Sequence, residues 1–171
     1  MDKIKKVRLE IDSREIKLLL HFEKFSFVSN KTLDLGDLIF FKDDEPVLII
    51  ERKTINDFSS SIIDGRYREQ KARLLKSNCN IAYLVEGNVS YHKMKNTIYG
   101  AISNLIFRDN IKLIKTASLK ETIDYVEKLL VKFEKGDFDQ DKKTTNIQNY
   151  KIKKTDCYNV VDCFKLQLNL N

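Results

Sequence analysis

Short apolar runs alternate with longer stretches of helical period from Val7 to Phe133, and this alternation constrains the fold more than any other feature. Strands separated by helices pack as an α/β sheet with helices covering its faces. Residues 7–11 read as the first strand, 14–22 as a short helix and 25–28 as another strand. Residues 38–41 and 47–51 are apolar runs on either side of Lys42-Asp43-Asp44-Glu45-Pro46, which is hairpin spacing with a polar turn. Residues 54–76 read as a long helix with a break at Gly65, and 81–85 as a buried strand closed by Glu86-Gly87. Residues 93–108 are helical, with Ile98, Ile102, Leu105 and Ile106 on one face, and 111–114 form the last strand. Ser118 and Glu121 make a capping-box pattern at the head of a final helix. Its apolar stripe is Ile123, Val126, Leu129, Leu130 and Phe133. The expected fold is α/β, a central mixed sheet flanked by helices with a hairpin early in the chain.

The chain has 171 residues, 42% of them hydrophobic, which supports one domain with a core of its own and a tail. Residues 1–135 form the expected folded domain. From residue 136 to 154 apolar residues thin out and Asp137, Asp139, Asp141 and several lysines dominate, the composition of a linker. Residues 158–170 regain an apolar pattern, so 136–171 read as a linker and the start of a further segment. With 31 Lys and Arg against 25 Asp and Glu the net charge is +6, which favours an acidic partner, nucleic acid first. Three cysteines, Cys79, Cys157 and Cys163, form no C-x-x-C pair, and only His21 and His92 could join them in a zinc site. Reduced thiols in an intracellular protein are the plainer expectation. No apolar run reaches the roughly 20 residues that span a bilayer, so no membrane partner is expected.

Chemistry concentrates around Asp37 and, fourteen residues on, Glu51-Arg52-Lys53. An antiparallel hairpin brings Asp37, at the start of one strand, to within about 5 Å of Glu51 at the end of the other. Glu51 and Lys53 are two residues apart and so share a face. Two carboxylates and an ammonium then converge as metal-assisted phosphodiester hydrolysis requires. Asp37 and Glu51 offer hard oxygens to Mg2+, the backbone carbonyl of Arg52 offers another, and Lys53 can orient water or hold charge on phosphate. A solvated hairpin edge with ordinary charges explains the spacing alone equally well. Asp57 begins the next helix, where it either caps the helix or joins the cluster. Asp12 and Glu15 flank Arg14 at the end of the first strand, a place where α/β sites gather.

Taken in order, Asp12-Ser13-Arg14-Glu15, Gly36-Asp37, Glu51-Arg52-Lys53, Asp57-Phe58 and the run from Ser60 to Lys71 resemble the nuclease domain of the XPF/Mus family, closest to its Mus branch. The resemblance implies a restriction-endonuclease-like fold. It also implies Mg2+-dependent cleavage of branched double-stranded DNA (3′ flaps, forks and nicked junctions) in repair and recombination, with Mn2+ able to substitute. Carried over by position, Asp12, Glu15, Asp37, Glu51, Lys53 and Asp57 fall on catalytic or metal-binding places, with Asp12 among the metal ligands. Arg14, Arg52 and Arg66 fall on family positions near the site and are expected to contact DNA. Some family members are inactive subunits without these acids, and this chain keeps them. Family members usually continue into a helix-hairpin-helix module, which is expected to follow residue 171 or to be missing. The implied compartment is the nucleus in a cellular eukaryote, and otherwise the site of DNA replication.

Arg66, Gln70 and Arg73 share one face of the helix after Gly65, so Arg73 is also expected to reach phosphate. Apolar stripes after Lys93 look larger than one sheet face needs, which predicts a homo- or heterodimer through the nuclease domain.

Overall fold

A computed structural model of the chain describes residues 7–138. Six strands form one sheet in the order β2-β1-β3-β4-β5-β6. They are β1 (Val7–Asp12), β2 (Val28–Lys31), β3 (Leu38–Lys42), β4 (Glu45–Thr54), β5 (Asn80–Glu86) and β6 (Lys112–Thr116). The sheet is mixed: β1 runs parallel to β2, the β1-β3-β4 pairs are antiparallel, and β4-β5-β6 are parallel. Helices α1 (Ile16–Phe22), α2 (Ile55–Ile63), α3 (Arg66–Leu75), α4 (Lys95–Ser103) and α5 (Leu119–Glu134) complete it, and α4 runs on into a π-helical turn over Asn104–Arg108.

Each face of the sheet has its own core, because successive side chains of a strand point to opposite sides. Leu9, Ile11, Leu38, Phe40, Ile50 and Leu84 pack on one side against Leu18 and Phe22 of α1 and Val126, Leu130 and Phe133 of α5. Ile49, Tyr83 and Val85 pack on the other against Phe58 of α2, Tyr67 and Leu74 of α3, and Ile98 and Ala101 of α4. Burying each such side chain is worth about 1.5–3 kcal/mol. The stripe of α5 is thereby used within the sheet's own core. Tyr99, Ile106 and Phe107 on α4 and its π turn are the exposed apolar residues after Lys93 nearest the dimer expectation.

The turn between β3 and β4 is only Asp43-Asp44, with φ of 50° and 66°. Positive φ at both central residues matches the twist of a two-residue hairpin, and Asp tolerates it. The turn pairs Lys42 with Glu45 and Phe41 with Pro46, and a one-residue register shift between Phe40 and Phe41 then sets Leu38 opposite Ile50.

Two expectations shift and one holds. The strand expected at 25–28 lies at Val28–Lys31, because Phe25 and Phe27 turn their rings inward against the core. The helix expected over 54–76 breaks at Gly65 as expected, where φ of 84° separates α2 from α3. Strand β4 runs three residues further than expected, because β5 pairs with it as far as Thr54 opposite Glu86. The described residues lie, but for Phe138, in the compact unit Met1–Asp137. The expected linker and the segment at 158–170 lie outside the described residues.

Candidate active site

The hairpin register delivers the first carboxylate pair. Leu38 pairs with Ile50, so the next step brings Asp37 to Glu51. Asp37 donates its N–H to the Ile50 carbonyl at 2.8 Å, and its Oδ2 accepts the Arg52 N–H at 2.7 Å. Asp37 is thus pinned to the backbone of β4 on both sides of Glu51, by its own N–H at Ile50 and by its carboxylate at Arg52. Lys53 Nζ lies 3.1 Å from Glu51 Oε1, and both side chains are buried. Asp37, Glu51 and Lys53 therefore meet at the end of the hairpin, as their spacing predicts.

Gly36 makes the approach of Asp37 to β4 feasible. Its φ is +72°, and a Cβ there would stand 2.4 Å from Ile49 Cγ2 and 3.2 Å from the Ile50 carbonyl oxygen. Only glycine fits both the conformation and the gap.

These acids border a polar cavity of about 250 Å3, lined by Arg14, residues 33–37, Glu51, Gln70 and Arg73. Burial, and then the charge of Glu51, push the Asp37 carboxyl up to about 7. A carboxylate raised by burial and by a charged neighbour in this way is what a hard divalent cation relieves, and Asp37 and Glu51 both present oxygen donors. The donor set fits Mg2+ or Mn2+, with Asp37 and Glu51 as the protein carboxylates. Among the described residues, no group of three His, Cys, Asp or Glu side chains forms a fuller metal cage.

Asp12 is placed differently from the expected ligand. It is fully buried, and both of its oxygens are engaged. Oδ1 accepts the Arg14 N–H at 2.9 Å and Arg14 Nε at 2.6 Å; Oδ2 accepts Arg14 Nη2 at 3.1 Å and the Leu33 N–H at 2.9 Å. Burial raises its pKa, but the Arg14 and Leu33 bonds outweigh burial and hold it below the ordinary value. Asp12 thus anchors Arg14 at the cavity rim and fixes the start of the 33–37 segment. Its own N–H donates to the Asp37 carbonyl at 2.9 Å, which ties β1 to the same place.

The side chain of Arg52 is the larger correction. Alternation along β4 turns it to the face opposite Glu51 and Lys53. There Nη1 donates to Glu15 at 2.8 Å and Nη2 to Glu86 at 2.7 Å, and the guanidinium is nearly buried. Thr122 of α5 donates its hydroxyl to the same Glu86 oxygen at 2.8 Å. Burial disfavours the Arg52 cation, but Glu15 and Glu86 outweigh it and raise its pKa. Burial pushes Glu15 up in turn, opposed by Arg52. Arg52 is a clamp joining α1, β4, β5 and α5, and its side chain does not present itself to DNA here.

Asp57 lies outside the cavity lining. It is exposed in the first turn of α2, where its carboxyl accepts the Thr54 hydroxyl at 2.5 Å and its N–H donates to the same oxygen. Arg66 is also exposed, paired with Asp64 at 2.7 Å, and is not among the lining residues, whereas Arg14 and Arg73 are. Sequence reasoning missed Gln70 and the loop carrying Asp34 as walls of the cavity. Gln70 was visible one turn before Arg73 on the same helix face. Nothing in the sequence marked Glu86 and Thr122 as partners of Arg52. Cys79 is a free thiol, and Cys157 and Cys163 lie outside the described residues.

Comparison with known proteins supplies a second line of observation. A family model described as the ERCC4 domain matches residues 11–129. The chain is 46% identical over 101 residues to "Probable crossover junction endonuclease mus81" of Dictyostelium discoideum, covering 50% of this chain and 11% of that protein. It is 40% identical over 84 residues to "Structure-specific endonuclease subunit MUS81" of Homo sapiens, covering 46% of this chain and 15% of that protein. The aligned stretch is thus a small part of both curated relatives. A solved structure, "XPF from Aeropyrum pernix, complex with DNA", matches with a TM-score of 0.63 and 30% identity, over 75% of this chain and 66% of that chain.

Proposed function

The chain belongs to the ERCC4-domain family and carries the restriction-endonuclease-like sheet of the XPF and Mus nucleases, and from that membership we propose that it is a divalent-cation-dependent endonuclease cutting branched DNA. The observation that carries this reading is the convergence of Asp37, Glu51 and Lys53 on one end of the β3–β4 hairpin, beside a polar cavity. Asp37 and Glu51, with the Arg52 carbonyl, would hold Mg2+ or Mn2+. Bound there, the cation lowers the pKa of water and offsets charge developing on phosphorus.

Lys53 is kept close to Glu51 and keeps its ammonium beside the reacting phosphate, where a compact cation stabilises the growing negative charge. Arg14 and Arg73, both in the cavity lining, take neighbouring phosphates. Such contacts position the strand and carry no base information, which suits an enzyme that reads branch shape. Arg66 extends this basic rim. Asp12 acts through Arg14, Glu15 through Arg52, and Asp57 by holding the turn that follows Lys53. Binding by XPF of Aeropyrum pernix to DNA supports DNA as the partner here. Exposed Tyr99, Ile106 and Phe107 give the family's dimeric arrangement a surface to use. Among the described residues no helix is long and apolar enough to cross a membrane.

The test is a cleavage assay on a 3′ flap, a fork, a nicked junction and a linear duplex, with and without Mg2+. The expected result is cation-dependent cutting of the branched substrates and loss of cutting in Asp37→Asn. Equal cutting of the linear duplex would shift the reading to a duplex nuclease, and a folded Asp37→Asn chain that cuts normally would remove the site.

A further inference from the structure

Gln70 stands in the wall of the cavity, yet the chemistry above gives it no task. It lies on α3, one turn before Arg73, and lines the same space as Asp37 and Glu51. Its side-chain carbonyl oxygen is buried and has no hydrogen-bond partner among the described residues. Leaving such an acceptor buried and unpaired is unfavourable, so an unpaired one in a native site calls for a function.

A second orphan lies on β5. The Tyr83 hydroxyl is also buried without a partner among the described residues. Tyr83 stands opposite Glu51 in the β4–β5 register. Burial, and then the charges of Glu51, Tyr67 and Asp37, push the phenol up, so it stays a donor throughout the working pH range. Phe58 packs tilted and Tyr67 edge-on against the ring, and together they fix it. A carbonyl that lacks a donor and a hydroxyl that lacks an acceptor are both satisfied by water, which needs several polar partners to stay ordered.

We infer that Gln70 is a positioning residue of this site, whose side-chain carbonyl accepts a hydrogen bond from water held between Asp37 and Glu51. This role rests on the hydrolytic reading given above and adds a residue to it. The carbonyl fixes the direction of that water from the α3 side, while the carboxylates hold it from the sheet. Partners of this kind typically change cation affinity or rate by 10- to 100-fold when removed. Because α3 also carries Arg73, a phosphate drawn in by Arg73 meets water already oriented by the same helix.

The experiment compares Gln70→Met, which keeps length and shape but loses the acceptor, with Gln70→Glu, which keeps an acceptor oxygen. Mn2+ binding is followed by electron paramagnetic resonance without DNA, and single-turnover cleavage is followed on a 3′ flap. Gln70→Met should bind Mn2+ and cut 10- to 100-fold more weakly, with its melting temperature and its cation-free affinity for the flap unchanged. Gln70→Glu should bind Mn2+ at least as tightly as wild type. The inference is overturned if Gln70→Met matches wild type, if Gln70→Glu loses Mn2+ as Gln70→Met does, or if only the melting temperature moves. A wild-type chain that takes up Mn2+ without cutting would overturn the nuclease reading and leave Gln70 judged on Mn2+ affinity. A wild-type chain that takes up no Mn2+ would overturn both.

Discussion

Glu51 and Arg52 are neighbours on one strand and face opposite sides of the sheet, in environments of opposite kind. On the Glu51 side, acids crowd one another beside open polar space, and Asp37 is driven up to about 7. On the Arg52 side, one guanidinium is answered by Glu15 and Glu86, with Thr122 completing the network. The first side is electrostatically unfinished, and the proposed cation and phosphate would complete it. The second is saturated and holds four elements together. A strand whose side chains alternate can thus keep reactivity and integrity one residue apart.

The separation is broken most sharply by removing acids from the reactive side. Asp37→Asn or Glu51→Gln should lower single-turnover cleavage roughly thousandfold, the scale set by several kcal/mol of lost charge stabilisation, while the thermal melt stays cooperative. If either variant unfolds instead, the two sides are not separable.

Arg52→Ala should do the reverse. Stripping the partner from two largely buried carboxylates costs about 3 kcal/mol or more, read as a fall in denaturant midpoint. Arg52→Lys should rescue little of this, because one ammonium cannot bridge Glu15 and Glu86 as a planar fork does. Restoration of the midpoint by Lys would show that charge alone makes the clamp.

Gly36→Ala tests how tightly the reactive side is built. Its positive φ and the 2.4 Å approach to Ile49 should cost about 1–3 kcal/mol and displace Asp37, so cleavage should fall more than stability. A parallel fall in the two would show that Gly36 serves the fold alone.

A gentler probe is pH. The Asp37 pKa in the fold, about 7, lies above its ordinary 3.8. The folded chain therefore holds this proton more tightly than the unfolded one. Its contribution is fully present below about pH 4 and is lost as pH rises through 7. Without divalent cation, the melting temperature of wild type should fall relative to Asp37→Asn across that window. Adding Mn2+ should reverse the trend above pH 7. Parallel profiles for the two proteins would mean that Asp37 is not held in this way.

The smallest effect is expected at Thr54, whose hydroxyl caps α2 at the Asp57 N–H. Thr54→Ala should cost about 1 kcal/mol by denaturant titration.

Much of the reactive side was legible in the sequence because its rules are local. A polar turn between two apolar runs marks the hairpin, and a spacing of two sets Lys53 beside Glu51. The register shift between Phe40 and Phe41 that brings Leu38 opposite Ile50, and so Asp37 to Glu51, carried no mark in the sequence. The sheet was legible from its apolar runs, except where the runs misled. Strand β2 is Val28-Ser29-Asn30-Lys31, a polar edge with little pattern, while the conspicuous aromatics just before it serve the core as side chains. The saturated side was not legible. Glu15, Arg52, Glu86 and Thr122 come from four elements, and no local period links them. Asp12 misled for a related reason: its position suggested a ligand, and its burial made it an anchor for Arg14.

The clamp carries a consequence for descent. A copy of this domain that loses Asp37 and Glu51 still keeps the Arg52 hub and both cores, so it survives as a well-folded body with nothing left to catalyse. Architecture insulated in this manner would let one duplicate shed its reactive side without losing its fold.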